Sequence, residues 1–247
     1  MTGLLLPLAG LLAAALLWAA GAGWMGSTTP VASAFAPTAT ADALQALLLG
    51  SDLWAHMAFS LQRVAVGLAI ALALGIPLGV LTGLSPLFSM ATTPLFQFAR
   101  MISPLSWMPI AVMVLGVGNA PVYFLLAFAA VWPILLNTAA GVSQLDRNWL
   151  LLARSLSATR IETLLRVVLP GITAHILTGV RLAIGIIWIV LVPAEMLGVS
   201  EGLGYFILDA RDRLAYSDLM AAILVIGFLG YLLDHAARSL HRRWLHA

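Results

Sequence analysis

The chain has 247 residues, of which 62% are hydrophobic and 9% charged, with a formal net charge of +2. Soluble domains carry roughly 25% charged residues, so this composition cannot clothe a water-facing surface and needs lipid as its solvent; the small net charge gives no sign of a nucleic-acid partner. Cysteine is absent, which excludes disulfides and thiolate metal sites, and lysine is absent too, so all twelve basic residues are arginine and no P-loop lysine exists to bind and split ATP.

Crossing the hydrocarbon takes about 20 apolar residues. The first candidate span covers residues 4–25. It lacks a positive n-region, yet Ala32-Ser33-Ala34 resembles a signal-peptidase site, so a cleaved signal stands beside the retained helix as a second reading. Residues 26–41, rich in Ser, Thr, Pro and Ala, read as an exposed loop, and residues 42–60 as an interfacial amphipathic helix. The second span, 61–84, carries Gly67, Gly75, Gly79 and Gly83. The last three form a doubled GxxxG, which lets backbones approach closely, either inside the chain's own bundle or along a dimer seam.

Pro86 and Pro94 bracket a short connection to the third span, 95–116, which is interrupted at Ser103-Pro104 and Met108-Pro109. Carbonyls freed by these prolines find no partner in lipid, so the break turns toward protein or a water-filled path. The fourth span is 121–142, the fifth 172–197 and the sixth 219–240, giving an all-α, polytopic fold with about six crossings. Seven of the twelve arginines lie in residues 143–168 and in the tail. The positive-inside rule assigns both stretches to the cytoplasm. The fifth and sixth spans then form a hairpin between them, the loop 198–218 is extracytoplasmic, and both chain termini are cytoplasmic.

The hydrophilic segment 146–169 carries the densest local signals. Asp146 can cap a helix to about Leu156, with Leu150, Ala153 and Leu156 on one face; a tight turn follows at Ser157-Ala158. Thr159-Arg160-Ile161-Glu162 fits a capping box that starts a second short helix, and Pro170 marks its end. Helix, turn and helix make a docking elbow for a soluble partner, a construction that a plain surface loop does not need.

Leu152-Ala153-Arg154-Ser155-Leu156-Ser157-Ala158-Thr159, followed by Val167-Val168-Leu169-Pro170, resembles the EAA loop of ATP-binding-cassette importer permeases. Leu151 stands at the family's glutamate position and Ser157 at its glycine position. The first departure implies one polar contact fewer to the ATPase, and the second a strained turn. The resemblance runs from about residue 55 to 240. It includes Ser60-Leu61-Gln62-Arg63-Val64-Ala65-Val66-Gly67, Trp132-Pro133-Ile134-Leu135-Leu136-Asn137-Thr138, Thr178-Gly179-Val180-Arg181-Leu182-Ala183-Ile184-Gly185, Ala194-Glu195-Met196 and Gly202-Leu203-Gly204, all similar to the nitrate/sulfonate/taurine branch. Met101-Ile102-Ser103-Pro104-Leu105-Ser106-Trp107 leans toward its nitrate- or bicarbonate-type members.

The resemblance implies a type I importer transmembrane domain in a bacterial inner membrane. It also implies a second copy of the chain, two cytoplasmic ABC ATPase subunits and an external substrate-binding protein. Residues 1–41 would form an N-terminal helix and external loop, and 42–247 the permease core. Ala153, Arg154, Ser155, Leu156, Ser157, Ala158 and Thr159 would couple to the ATPase. An ion-gradient-driven secondary transporter remains the alternative, although the second broken helix its inverted repeat would bring is not evident.

Ionisable groups at membrane depth cost several kcal/mol unless paired or hydrated. Arg100, beside the break, either presents positive charge to an anion on a shared axis or snorkels and pairs with a carboxylate; Ser103, Ser106 and Trp107 flank the same break. Arg181 and Glu195 lie on one span about 21 Å apart, too far to pair, so each needs another partner. Glu195 shapes an outer gate or forms a structural ion pair, and Asn137 and Thr138 read as interhelical hydrogen-bond donors. Trp18, Trp24, Trp54, Trp149 and Trp244 read as interfacial anchors. The five histidines show no HxxxH or HExxH spacing, so neither a metal nor another cofactor is expected.

Overall fold

A computed structural model describes residues 2–26 and 29–245, and every regular element among them is helical. In chain order, α1 (Thr2–Gly26) is followed by a 3-10 turn (Pro30–Phe35), α2 (Pro37–Leu49) and α3 (Asp52–Leu84). Next come α4 (Pro86–Ala99), a 3-10 turn (Pro104–Trp107), α5 (Met108–Leu115) and α6 (Asn119–Ser143). Then α7 (Arg147–Ser155) and α8 (Arg160–Thr163) lead through a π turn (Leu164–Val168) into α9 (Leu169–Gly198), with α10 (Leu203–Asp212) and α11 (Tyr216–Leu245) last.

Several boundaries differ from the sequence reading. The interfacial helix expected over 42–60 is two elements, because Gly50 and Ser51 end α2 before α3 begins at Asp52. Much of the loop expected over 26–41 is the first 3-10 turn and the start of α2; residues 27 and 28 lie outside the described residues. Pro86 and Pro94 do not bracket a connection. Pro86 opens α4, where Ser85 caps by accepting from the Phe88 N–H and a missing N–H costs nothing, and Pro94 sits inside the helix. Thus the third span begins nine residues earlier than expected, and its break falls at residues 100–103, where α4 and the segment Pro104–Leu115 meet at a bend of 86°.

Packing divides the chain into two compact units, residues 1–59 with 201–228 and residues 60–200 with 229–247. In the first, α1 carries apolar side chains such as Leu11, Leu16 and Leu17 outward along its length, a surface suited to lipid. Its Trp18 indole donates to the Phe35 carbonyl at 3.0 Å, and the Ser217 hydroxyl donates to the Ala34 carbonyl at 2.9 Å. The Trp54 indole donates to the Leu48 carbonyl, while Trp24 and Trp149 are exposed. The side chain of Trp244 lies outside the described residues. The Gly202 N–H donates to His56 Nδ1 at 3.0 Å, which ties the start of α10 to α3.

The second unit is built around α6, whose Leu125, Leu126, Ile134 and Leu135 are fully enclosed. The glycines of α3 are packed against it. A Cβ at Gly67 would meet Leu126, at Gly75 Ile134, at Gly79 Leu135 and Thr138, and at Gly83 Val142, all within 3.0 Å. The GxxxG run therefore serves the chain's own bundle. Both sets of numbers rise together, so α3 and α6 are parallel. Leu84 lies level with the end of α6 while Arg63 is bonded to Asn119 at its start, so residues 85–118 must travel back about 30 Å. The bent pair is one return crossing in two pieces.

Gly179 packs on Pro133 and Ile134, Gly141 on His175 and Gly198 on Val122, which makes α6 and α9 antiparallel. Gly230 packs on Trp188 while Arg181 faces Asp234, so the end of α11 returns beside the start of α9. The arginine-bearing segment 143–168 and the tail of the chain therefore lie at one end of this unit, the arrangement required by the charge distribution.

Candidate functional site

The elbow is assembled by local chemistry. Asp146 Oδ1 accepts from the Asn148 N–H at 2.9 Å and starts α7, while Ala153 is buried and Leu150 packs into a cluster with Val80, Val142, Val168 and Ile172. The helix ends in a Schellman motif: Ala158 N–H donates to Ala153 O and Ser157 N–H to Arg154 O, with Ser157 at φ 56°. This left-handed position is the one at which the family pattern has glycine. The Thr159 N–H donates to Glu162 Oε2 at 2.9 Å and the Glu162 N–H to Thr159 Oγ1 at 3.2 Å, completing the capping box. The Thr159 backbone N–H, and then its hydroxyl, hold the Glu162 carboxyl below its usual pKa.

Two expectations about this segment need correction. Leu156 is not on the buried face but 74% exposed, because it lies in the C-cap after the last turn has left the core. Pro170 does not end the second helix. It occupies the first turn of α9, and the π turn before it, in which Leu169 N–H bonds to Leu164 O, widens the ladder where the proline lacks an N–H. Elbow and fifth span form one 39-residue helical run from Arg160 to Gly198. Trp149, Leu151, Leu152, Leu156 and Ile161 remain exposed on the elbow. Between α7 and the start of α9 lies a groove of about 610 Å³, lined by Trp149, Leu152, Leu156, Arg166 and His175 among others.

Beside the break, Arg100 caps α4 and opens onto a cavity of about 400 Å³ that also involves Pro104, Trp132, Asn137, Leu182 and Ile186. Among the described residues the Arg100 side chain has no ion-pair or hydrogen-bond partner. Ser103 and Ser106 are exposed, and Trp107 packs on Phe124 and Phe128 against the core. Phe124, Phe128 and Trp132 recur every four residues on α6, one aromatic face, and Phe96 of α4 closes on Trp132 at 6.0 Å. Asn137 bonds within its own helix, Nδ2 to Pro133 O at 2.8 Å; among the described residues it makes no side-chain bond between helices, and Thr138 Oγ1 is buried without a partner.

Glu195 is wholly enclosed, and Arg63 is 2% exposed. Arg63 Nη1 donates to Glu195 Oε1 at 2.6 Å and Nε to Asn119 Oδ1 at 2.8 Å, and the Ser60 hydroxyl donates to the same carboxylate. Of its two readings, Glu195 takes the structural ion pair, joining α3, the start of α6 and α9. Arg181 finds its separate partner in Asp234 at 3.5 Å. Arg63 and Asn119 are additions to the sequence-predicted residues. The signal was present: Glu195 demanded a cation from another span, and Arg63 is the basic residue of the second span.

Comparisons with known proteins agree with this fold. Residues 75–246 match the family described as binding-protein-dependent transport system inner membrane component. The bicarbonate transport system permease protein CmpB of Synechococcus elongatus is 39% identical over 99% of this chain and 90% of its own length. The nitrate import permease protein NrtB of Leptolyngbya laminosa is 40% identical over 75% of this chain and 67% of its own. A chain of the inward-facing MetNI methionine ABC transporter shares the fold, with a TM-score of 0.65 at 14% identity over 78% of this chain and 95% of that one. This chain thus belongs to the family of binding-protein-dependent transport system inner membrane components, as a multi-pass permease subunit of the nitrate, bicarbonate, sulfonate and taurine type.

Proposed function

We propose that the chain is the membrane-spanning half of an importer that carries a small anion, of the nitrate, bicarbonate, sulfonate or taurine type, into the cytoplasm. Two copies span the membrane around a shared axis. Separate ATPase subunits dock on the elbow at 146–169, and an external binding protein delivers the cargo. The elbow and the tail face the cytoplasm, where their arginines belong, and six crossings bring the N-terminus to the same side. ATP-driven closure of the ATPases moves the elbow, the helices tilt between inward-open and outward-open states, and the anion passes the break at Arg100, Ser103 and Trp107. Glu195 holds the opposite ends of the helices together.

The observation that carries this reading is the elbow itself. Its backbone polar groups are capped while Trp149, Leu151, Leu152, Leu156 and Ile161 stand in the open beside Arg154 and Arg160. An apolar patch with a charged rim is what a soluble partner buries. The relatives named for bicarbonate and nitrate support an anionic cargo.

The test is purification in mild detergent from the native membrane. An ATPase bearing the lysine-containing P-loop should remain bound, and Leu156→Asp should weaken its retention about tenfold, near 1.4 kcal/mol. Purification of the chain alone, with uptake that survives ATP depletion and collapses with the ion gradient, would replace this reading by a secondary transporter.

A further inference from the structure

The tie between α3 and α10 hangs on one imidazole. Gly202 is buried and stands at φ 111°, a conformation open to glycine, and its carbonyl accepts from the Phe206 N–H at 2.9 Å to start α10. The N–H of Gly202 donates to a side chain, His56 Nδ1 of α3, at 3.0 Å. A buried backbone N–H needs such a partner. To accept this bond Nδ1 must be bare, so the ring is neutral and carries its hydrogen on Nε2. Phe206 and Tyr205 of α10 lie against the half-buried ring, at 5.5 and 6.1 Å between centroids, and keep it beside the start of their helix.

Both residues belong to the unit of residues 1–59 and 201–228. On α3, Asp52 lies one turn before His56, exposed, and accepts from the Ser51 hydroxyl, while Arg63 lies two turns after it, buried on Glu195. In the connection, the exposed Glu201 precedes Gly202. On α10, Tyr205 faces the imidazole, and Asp209, one turn further on, is paired with Arg213. Among these kinds of side chain, histidine is the one that ordinarily changes charge between about pH 5 and 8. Protonation puts a second N–H on Nδ1, so that two donors face each other across 3.0 Å. The bond is therefore present at neutral pH and lost as the pH falls through that range.

We propose that His56 and Gly202 form a pH-sensitive latch, closed while the outside is neutral and open when it turns acid, through which the permease senses external acidity. This rests on the importer reading above, which puts the end of the fifth span and α10 outside. With the latch open, the Gly202 N–H loses its acceptor and the start of α10 loosens from α3. Four residues separate α10 from the end of α9 at Gly198, so the loosening frees the connection that closes that span. His56 is a positioning residue: it acts through α10.

Hydrogen exchange in the full chain with its copurified partners, in lipid nanodiscs, tests the latch without needing transport. The readout is the protection of residues 202–206: the rate of an unstructured chain at the same pH divided by the observed rate, with residues 125–135 of α6 as reference. From about pH 8 to about pH 5 this protection should fall about tenfold, as loss of one hydrogen bond does, and the reference should hold. His56→Asn, whose Oδ1 stands on the branch that carries Nδ1 and takes no proton in this range, should stay protected in acid. His56→Phe, a ring without an acceptor, should be poorly protected throughout. Equal protection of the unaltered chain at the two ends of the range overturns the latch, as does a pH response that survives in His56→Phe or a fall shared by α6. Nitrate uptake by the complete assembly in proteoliposomes, with the inside held neutral, should slow on acidifying the outside in the unaltered chain and not in His56→Asn. The same response in both overturns the sensing. An assembly that takes up nitrate at neither pH overturns the importer reading for that anion and leaves the latch to the exchange result.

Discussion

At one end of the 60–200 unit, Ser60, Arg63 and Glu195 are hidden from solvent and bond across two helices, and the exposed Asn119 joins them from a third. At the other end, Asp146, Thr159 and Glu162 bond to the backbone of their own segment, and the side chains around them stand in the open. The two ends use polarity differently. The first withdraws charge from water at a cost of several kcal/mol per ion and recovers it only through complete pairing, so it suits a fixed joint. The second spends little, since exposed caps contribute about 1 kcal/mol each, and leaves its apolar side chains uncovered.

The contrast breaks most readily at Glu195. Glu195→Leu should lower stability by about 3–5 kcal/mol by removing the carboxylate that the buried Arg63 Nη1 bonds, while Arg63→Met with Glu195→Leu should recover most of that loss. Thermal unfolding of the purified chain in detergent reads both. A single variant that melts normally yet transports nothing would move Glu195 from the joint to the pathway. The glycine seam gives a smaller effect. At Gly79→Val the new side chain meets Leu135 O and Thr138 Cβ at 2.6 Å, an overpacking worth about 1–3 kcal/mol. The same melting assay should find Gly185→Ala neutral or stabilising by up to about 1 kcal/mol, because nothing lies within 4 Å of that site. The smallest change is at the elbow. Ser157→Gly relieves the left-handed turn at φ 56° and should stabilise by about 1 kcal/mol, visible as slower amide exchange over residues 153–159. No change there would mean that the exposed elbow already tolerates the strain.

The two ends also differed in how readable they were. The elbow was legible because caps and turns are local: Asp146 precedes its helix, Thr159 and Glu162 sit three residues apart, and Ser157 takes the glycine position. The joint was half legible. A carboxylate at depth announces a partner, but Arg63 lies 132 residues away, and no local rule links such positions. Pro170 misled because a proline that stops a helix and one that opens the next turn look alike in sequence; only the π turn tells them apart. Asn137 read as an interhelical hydrogen-bond donor, and only the return crossing, whose start was misjudged by nine residues, brought Arg100 to the same cavity.

The continuity of the run from Arg160 to Gly198 has a mechanical consequence. Helices resist bending over such lengths, curving only gently, so this run is a lever with the exposed elbow at one arm and the buried joint at the other. Arg160 and Glu195 are about 52 Å apart along it, and a rotation of about 5° displaces one end by about 5 Å relative to the other. The π turn is the point where such a lever can flex. A stiffer elbow would transmit a push on α7 whole, whereas a softer one would absorb it before the cavity at Arg100 felt any movement.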